Sequence, residues 1–262
     1  MSLATGGVWT RRARPLLGTL VEVGVRRVPS SRVGAINAID TAFATLADVQ
    51  GCLSRFEADS DVARFRALRA GDCMTVRPHT AAVLAAAQAL HADSSGIFDI
   101  ALGSAPGGWH CAAGRWHKLH GEVGIDLGGI GKGYAVDCAV QALIALGCDG
   151  GWVNAGGDVR AFGAVELPLS LRDEAHGGVQ PFATLSDGAF ATSHFGEHSR
   201  SQATAGPRTG APAGTGMRRV QAHASVAAPL CLWADALTKV VAVTGDTSHP
   251  LLARLGAQAW LH

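Results

Sequence analysis

The stretch "DLGGIGKGYAVD", residues 126–137, places four glycines and one lysine between two aspartates, just before an apolar pattern with helical spacing. Glycine is common where the backbone turns sharply or comes close to another group. The stretch therefore predicts either an anion-binding loop at the start of a helix or a tight structural corner. A helix N-terminus with free N–H groups, next to the positive charge of Lys132, favours a bound anion.

Two well-known phosphate-binding patterns do not fit this loop. A Walker A loop needs Gly six residues before the lysine and Ser or Thr after it, but these places hold Asp126 and Gly133. The glycines at 129, 131 and 133 are also not spaced as in the dinucleotide-binding GxGxxG fingerprint. Only the general chemistry of a Gly-rich turn before a helix remains as support for an anion site.

Composition narrows the class of protein. The chain has 262 residues, 48% of them hydrophobic, which is enough for a full core in one domain over residues 1–262. We expect residues 1–11 to form a flexible tail. No apolar run reaches the length of a membrane span, so we expect no stable membrane insertion. The net charge of +1, without a long basic run, argues against nucleic acid as a partner.

The cysteines and the amino-terminal sequence indicate in which cellular compartment the protein is expected. Six cysteines are scattered singly, without the paired spacing of a zinc site or a redox pair, and we interpret them as small buried hydrophobic residues. The amino-terminal sequence lacks the apolar segment of a secretory signal. We therefore expect a cytoplasmic protein, or a periplasmic one if a leader has been removed.

Hydrophobic periodicity predicts an α+β fold. Apolar residues at helical spacing predict helices over residues 33–53, 81–91, 133–146 and in "CLWADALTKVVAVTGD". Alternating or apolar runs predict strands in "LVEVGV", "GWVNAGGDVRAFG", "VELPLSLRD", "PFATLSDGAFATS" and "RRVQAHASVAAP". Residues 104–120 show no period. Strands and helices do not alternate regularly, which favours α+β over a doubly wound parallel sheet.

Two more clusters carry polar groups. "NAGGD", residues 154–158, is typical of a turn between two strands. In "ADALTK", residues 234–239, Asp235 and Thr238 share one face of an apolar helix, and Lys239 lies one turn beyond Asp235. A carboxylate in such a helix needs a partner. Either Lys239 pairs with it, or the face holds a hard cation through oxygen atoms.

Read together, the motifs resemble those of a known family. In chain order they are "RPLLGTLVEV", "SRFEADSDVARF", "FDIALG", "DLGGIGKGYAVD", "VNAGGDVRAFG", "AFATS", "PRTGAPAG" and "ADALTKVVAVTGD". This order is similar to that of the FAD:protein FMN transferases, the ApbE-like proteins, over roughly residues 12–246. The most specific pieces are "DLGGIGKGYAVD" and "ADALTK".

The resemblance implies both a fold and an activity. The fold is an α+β, ApbE-like (T-fold-like), two-lobed domain with antiparallel sheets and packed helices, which binds FAD between its lobes. The activity is Mg²⁺-dependent transfer of the FMN half of FAD to a Thr or Ser hydroxyl of an acceptor redox protein, with release of AMP.

The resemblance also implies roles for individual residues. Asp235 matches the metal carboxylate, and Thr238 and a backbone carbonyl at Gly129 or Gly131 are the other metal candidates. The residues expected to bind FAD are Leu17, Phe56, Ala101, Leu102, Gly103, Asp126, Gly128, Gly129 and Lys132.

The sequence departs from the family pattern at several positions. "ATAG", residues 203–206, replaces a segment that carries a His and an acid, so His194 and His198 become candidates for acid–base work. Arg66 stands where the family has Asn, and Lys239 where it has Thr or Ser. We hypothesise that the Lys239 ammonium replaces part of the metal's charge. The departures leave two alternatives open, an FAD-binding or carrier protein without transfer activity and an FAD pyrophosphatase that yields FMN and AMP.

Overall fold

In the computed structural model of the chain, the described residues are 9–26, 34–105, 107–172, 177–194 and 223–262. The helices are α1 (Ala35–Leu53), α2 (Asp61–Ala67), α3 (Pro78–Asp93), α4 (Gly131–Ala145), α5 (Cys231–Thr244) and α6 (Pro250–Arg254). The strands are β1 (Trp9–Leu16), β2 (Thr19–Arg26), β3 (Cys73–Thr75), β4 (Trp109–Ala112), β5 (Arg115–Lys118), β6 (Gly150–Ala155), β7 (Asp158–Gly163), β8 (Leu167–Arg172), β9 (Val179–Leu185), β10 (Gly188–His194), β11 (His223–Ala228) and β12 (Gln258–Leu261).

A seven-stranded antiparallel sheet forms the larger part of the fold. Its strand order is β1-β2-β6-β7-β10-β11-β12. Side chains alternate across it, so that Val21, Val23 and Val25 of β2 join α1, α4 and α5 in the main core. On β6, Val153 belongs to this core, whereas Trp152 packs against Trp9 and the β8–β9 hairpin in a second cluster. The sheet is thus covered by helices on one face and by a hairpin on the other.

A smaller part of the fold is built from the three-stranded sheet β3-β5-β4 with α2 and α3. Trp116 of β5 is fully buried and stacks on Phe65 of α2, with their ring centroids 3.9 Å apart. Residues of the loop that follows α3 and of the start of the Gly-rich stretch belong to the same core cluster as Phe65 and Trp116. The predicted α+β fold with antiparallel sheets and packed helices is confirmed.

Several elements differ from the sequence prediction. Residues 9–11, expected in a flexible tail, are the first residues of β1 and pair with β2; residues 1–8 lie outside the described residues. Residues 104–120 contain the β4–β5 hairpin, in which Ala113 and Gly114 both have positive φ. Each strand of this hairpin has only four residues, too few to give a clear alternating pattern.

Candidate functional site

The Gly-rich stretch ends in the first turn of α4, where the Lys132 side chain meets a buried carboxylate. The ammonium of Lys132 contacts Asp158, the first residue of β7, whose side chain is 3% exposed. Asp158 follows the turn at Gly156 and Gly157, which have φ of 67° and 108° and so need glycine. The structure therefore joins two motifs, "DLGGIGK" and "NAGGD", through one ion pair.

Charge and burial act in opposite directions on this pair. Burial disfavours the Lys132 ammonium, but the carboxylates of Asp158 and Asp235 outweigh burial and raise the pKa of Lys132. Burial and the nearby Asp235 charge raise the pKa of Asp158, while Lys132 and Lys239 act to lower it. Lys132 and Lys239 thus offset part of the cost of burying the Asp158 charge.

Helix α5 lies against the start of α4 at very short range. The backbone N–H of Gly133 donates to Oδ2 of the fully buried Asp235, with N and O 3.2 Å apart. A β-carbon at Gly133 would lie 2.3 Å from the carbonyl oxygen of Cys231 and 2.9 Å from Cβ of Asp235. Glycine is therefore required at residue 133 by the approach of α5.

Lys239 is the main partner of Asp235. Its ammonium contacts Asp235 Oδ1 and donates to the Asp235 carbonyl oxygen at 2.9 Å and to Ser193 Oγ at 3.0 Å. Burial acts against the Asp235 charge, but Lys239 and Lys132 together lower the pKa of Asp235 below its ordinary value. The i, i+4 spacing seen in the sequence is realised as a buried ion pair.

The hydroxyl of Thr238 belongs to the same network. It donates to the Asp235 carbonyl oxygen at 2.6 Å and lies 2.7 Å from Ser193 Oγ, which comes from β10. Ser193 is part of the "AFATS" motif, but its contact with α5 depends on strand pairing across the sheet and was not predicted. One strand and one helix thus share a small, fully connected polar cluster.

The donor set around Asp235 does not fit a divalent metal ion in this arrangement. Mg²⁺ needs several oxygen ligands with near-octahedral geometry. The two oxygens of Asp235 accept from Lys239 and Gly133, and the Thr238 hydroxyl is engaged within the cluster. In the described part of the chain, no group of three or more His, Cys, Asp or Glu residues could hold a metal. The assignment of Asp235, Thr238 and Gly129 as metal ligands stays an untested prediction, which the contacts of Asp235 and Thr238 do not support.

Asp137, at the other end of the quoted stretch, fixes the position of α5. Its carboxylate accepts from the backbone N–H groups of Cys231 and Leu232, both at 2.9 Å, and from Arg160 at 2.8 Å. Burial raises its pKa, although these three donors act in the opposite direction. This role of Asp137 could not be predicted from the sequence, because helix α5 begins more than ninety residues later.

A pocket of about 440 Å³ opens beside the first residue of the Gly-rich stretch. This volume is in the range of small-molecule sites. Two arginines and one aspartate supply its charge. The lining residues are Arg55, Arg66, Ala101, Leu102, Gly103, Ser104, Gly124, Ile125 and Asp126.

Hydrogen bonds shape the wall of this pocket. Oδ2 of Asp126 accepts from Arg55 at 3.0 Å, and Oδ1 accepts from the Gly128 N–H at 2.7 Å. The carboxylate of Asp99 accepts from the N–H groups of Ala101 and Gly103, at 2.8 and 2.9 Å. The two segments are also joined directly, because the Asp126 N–H donates to the Ile100 carbonyl oxygen at 2.8 Å.

The predicted FAD-binding residues fall into two groups. Ala101, Leu102, Gly103 and Asp126 line the pocket together. The other five, which are Leu17, Phe56, Gly128, Gly129 and Lys132, are not among its lining residues. The other five lining residues were not predicted to bind FAD, although Arg66 was noted as a departure from the family pattern and Arg55 lies in the same "SRFEADSDVARF" motif; they are Arg55, Arg66, Ser104, Gly124 and Ile125.

Phe56 and Leu17 lie outside the pocket wall. The Phe56 side chain is 82% exposed, with the Arg55 guanidinium 4.8 Å from its ring centroid. Leu17 has φ of 54° in the β1–β2 turn, and its N–H donates to the Gln50 side chain at 2.7 Å. Their assignment to flavin binding stays a prediction.

The histidine candidates lie at the edge of the described structure. His194 ends β10, and its ring nitrogen Nδ1 is 2.9 Å from Nε2 of His223 on β11. His198 and residues 203–216, including the "ATAG" segment, lie outside the described residues. An acid–base role for either histidine therefore remains a prediction.

The model of the ApbE family matches residues 17–119 and 108–261. The chain belongs to the ApbE family. No curated protein matches it.

Solved structures show the same fold. The flavinyl transferase ApbE of Pseudomonas stutzeri in its apo form is 22% identical, with a TM-score of 0.80 over 98% of this chain and 92% of that one. The flavin transferase ApbE of Vibrio cholerae is 16% identical, with a TM-score of 0.81 over 98% and 94%. The ApbE protein of Thermotoga maritima is 20% identical, with a TM-score of 0.78 over 97% and 94%.

Two further expectations can be compared with the described residues. The six cysteines are free, but only Cys52 and Cys231 are buried, so the interpretation of all six as small buried residues is confirmed for these two alone. No helix in the described ranges is long and apolar enough to cross a membrane.

Proposed function

We propose that this protein transfers the FMN moiety of FAD to a Thr or Ser hydroxyl of an acceptor redox protein and releases AMP. The observation that carries the proposal is the pocket between Arg55, Arg66 and Asp126, at the start of the loop that leads into α4. Membership in the ApbE family supports a flavin nucleotide as its ligand.

The charges of the pocket suit a diphosphate. Arg55 and Arg66 supply two guanidinium groups against the single carboxylate of Asp126. Guanidinium groups bind phosphate oxygens through paired N–H donors. The Arg55–Asp126 ion pair also holds one arginine in place before any ligand binds. The pocket is thus prepared for an anion, while its turns at Ala101–Gly103 offer close backbone approach to a nucleotide.

The proposed reaction is a phosphoryl-group substitution. The acceptor hydroxyl oxygen forms a bond to the phosphorus on the riboflavin side of FAD, and the bond between that phosphorus and the bridging anhydride oxygen breaks. AMP leaves with the bridging oxygen, and the hydroxyl proton passes to a base or to solvent. Catalysis of such a step consists mainly of positioning the reactants and neutralising developing phosphate charge. The arginines of the pocket and Lys132 are the cationic side chains that we assign to this task.

One experiment distinguishes FMN transfer, FAD hydrolysis and FAD binding without reaction. Purified protein is mixed with FAD and a peptide that carries one Thr, and AMP, free FMN and peptide-bound flavin fluorescence are measured. AMP together with labelled peptide is the expected result. AMP with free FMN would identify a pyrophosphatase, and FAD binding with neither product would identify a carrier. The matched control is the same peptide with Val in place of Thr, which should remain unlabelled.

The same experiment can reject the proposal altogether. A ligand that binds the folded state and not the unfolded state raises the melting temperature, and the rise grows with the logarithm of ligand concentration over the dissociation constant. If FAD neither shifts the melting temperature nor binds in a direct titration, the pocket is not a flavin nucleotide site. Arg66→Ala, which removes a pocket cation on the surface of α2, is the variant in which FAD binding should weaken.

A further inference from the structure

We propose that the Lys239 ammonium fills the cation position beside Asp235, so that the protein binds FAD without a divalent metal ion at that position. The inference rests on the proposed function, which supplies FAD as the ligand. Whether a metal ion binds beside Asp235 can be tested on the protein without FAD. It departs from the Mg²⁺ dependence that the family resemblance implied.

The first support is the set of oxygens around Lys239. An ammonium group has three N–H donors. All three have oxygen partners here, namely Oδ1 and the carbonyl oxygen of Asp235 and the hydroxyl of Ser193. A carboxylate, a carbonyl and a hydroxyl are the ligands that a hard metal ion prefers. The ammonium therefore occupies a cation site made of oxygens from α5 and β10.

The second support is burial. Lys239 is 4% exposed and Asp235 is fully buried, so neither charge is solvated by water. Buried charges persist when they are paired and their remaining donors are satisfied. Lys239 meets both conditions, because it is held by three oxygens and lies one helical turn from its carboxylate. The cation is thus a fixed part of the folded chain.

The third support is the charge balance of the cluster. Lys132 and Lys239 carry two positive charges, and Asp158 and Asp235 carry two negative charges. The four groups interact with one another across the α4–α5 contact. A divalent ion added beside Asp235 would meet the buried Lys239 ammonium, and both carboxylate oxygens of Asp235 already accept from Lys239 and Gly133. Such an ion is therefore excluded by Lys239 rather than attracted.

A metal titration of the protein alone tests the inference without FAD. Free Mn²⁺ is followed by its electron paramagnetic resonance signal while apo protein is added. We expect no detectable Mn²⁺ binding by the parent protein. In Lys239→Thr, where a hydroxyl replaces the ammonium, we expect Mn²⁺ to bind with a dissociation constant at least tenfold below the weakest one that the titration can detect. Stoichiometric Mn²⁺ binding by the parent that is lost in Asp235→Asn would overturn the inference.

The second test is FAD affinity in EDTA and in MgCl2. The parent protein should show the same dissociation constant, within twofold, in both buffers. Lys239→Thr should bind FAD at least tenfold more weakly in EDTA and recover in MgCl2. An EDTA-sensitive parent, or a Lys239→Thr protein that binds FAD in EDTA as tightly as the parent, would contradict the proposal.

Matched variants control for the loss of a buried lysine. Lys118 is also 4% exposed, and its ammonium donates to the Arg66 carbonyl at 3.0 Å. Lys118→Thr should gain no Mg²⁺ dependence, and gain of the same dependence there would contradict a specific role for Lys239. If Lys239→Thr does not fold, Lys239→Arg keeps the charge and should bind FAD equally in EDTA and MgCl2; EDTA sensitivity of that variant would count against the inference.

The two proposals can fail separately. If the parent does not bind FAD in either buffer, the proposed function fails, and the Mn²⁺ titration still decides the role of Lys239. If FAD binds and is turned over but EDTA abolishes its binding, the proposed function stands and the inference about Lys239 is wrong.

Discussion

The backbone N–H of Gly133 donates to the buried carboxylate of Asp235, and this contact brings the first turn of α4 against α5. The two residues are 102 positions apart in the chain, yet they belong to the two motifs that were most specific in the sequence. The contact explains why the loop is followed by glycine at residue 133. It also makes the spacing between α4 and α5 easy to disturb.

We predict that Gly133→Ala destabilises the protein by about 2–3 kcal/mol, because added volume in a packed contact forces the helices apart. The new β-carbon would lie 2.3 Å from the Cys231 carbonyl oxygen. Urea unfolding measures the change. The control is Gly51→Ala in α1, where a β-carbon would meet nothing within 4 Å. That variant should change stability by less than about 1 kcal/mol, toward greater stability. Equal effects of the two substitutions would show that α4 and α5 do not need this close approach.

We predict that Lys132→Met destabilises the protein in a pH-dependent way. Burial already raises the pKa of Asp158 above its ordinary value of 3.8, and removal of Lys132 takes away a charge that lowers it. A carboxyl whose folded pKa is raised favours the folded state at low pH and costs stability as pH rises from the unfolded pKa through the folded pKa. The loss should thus be small near pH 4 and reach about 3–5 kcal/mol near pH 8.

The control for this prediction removes the carboxylate as well. In the double variant Lys132→Met with Asp158→Asn, no buried carboxylate remains unpaired, so the added pH dependence should disappear. Urea unfolding between pH 4 and pH 8 gives the comparison. A loss of stability in Lys132→Met that is the same at both ends of this range would mean that Asp158 is not the group left uncompensated.

The sequence predicted the elements better than their contacts. Alternation identified β2, β6 and β7, and helical spacing identified α1, α4 and α5, because each pattern extends over one or more full turns or several strand residues. The pairing of Lys132 with Asp158 was not predicted, although both residues lay in recognised motifs. It depends on how β6 and β7 place the Gly156–Gly157 turn beside α4, which is a property of the whole sheet.

The candidate site shows the same limit. The Asp235–Lys239 pair could be predicted because it is local, at i and i+4 of one helix. Ser193 comes from β10 and reaches Lys239 only through packing of α5 on the sheet. Arg55 and Asp126 are 71 residues apart, and neither residue alone indicates a pocket. Contacts within one helix could thus be predicted from the sequence, whereas contacts between different elements could not.

We predict that Arg55→Ala and Arg66→Ala each weaken FAD binding about tenfold or more, because a hydrogen bond to a charged group contributes about 1.5–3 kcal/mol. The binding should also weaken as salt increases, since phosphate and guanidinium charges are screened. Isothermal titration calorimetry measures both effects. Arg26, which pairs with Asp149 and does not line the pocket, is the control. If Arg26→Ala weakens FAD binding as much as the pocket variants do, general surface charge rather than this pocket binds the nucleotide.

We predict that Asp137→Ala destabilises the protein by about 3–5 kcal/mol, because it removes the partner of the largely buried Arg160 and two hydrogen bonds to the start of α5. Asp137→Asn keeps one acceptor oxygen and should lose less. The matched control is the exposed Asp246, which accepts from the Ser248 N–H at 2.8 Å; Asp246→Ala should change stability by no more than about 0.5 kcal/mol. Since α5 also carries Asp235 and Lys239, Asp137→Ala should increase amide hydrogen exchange in the first turns of α5 before it affects β6. Uniform exchange across the sheet and α5 would show instead that Asp137 stabilises the whole fold and not the position of this helix.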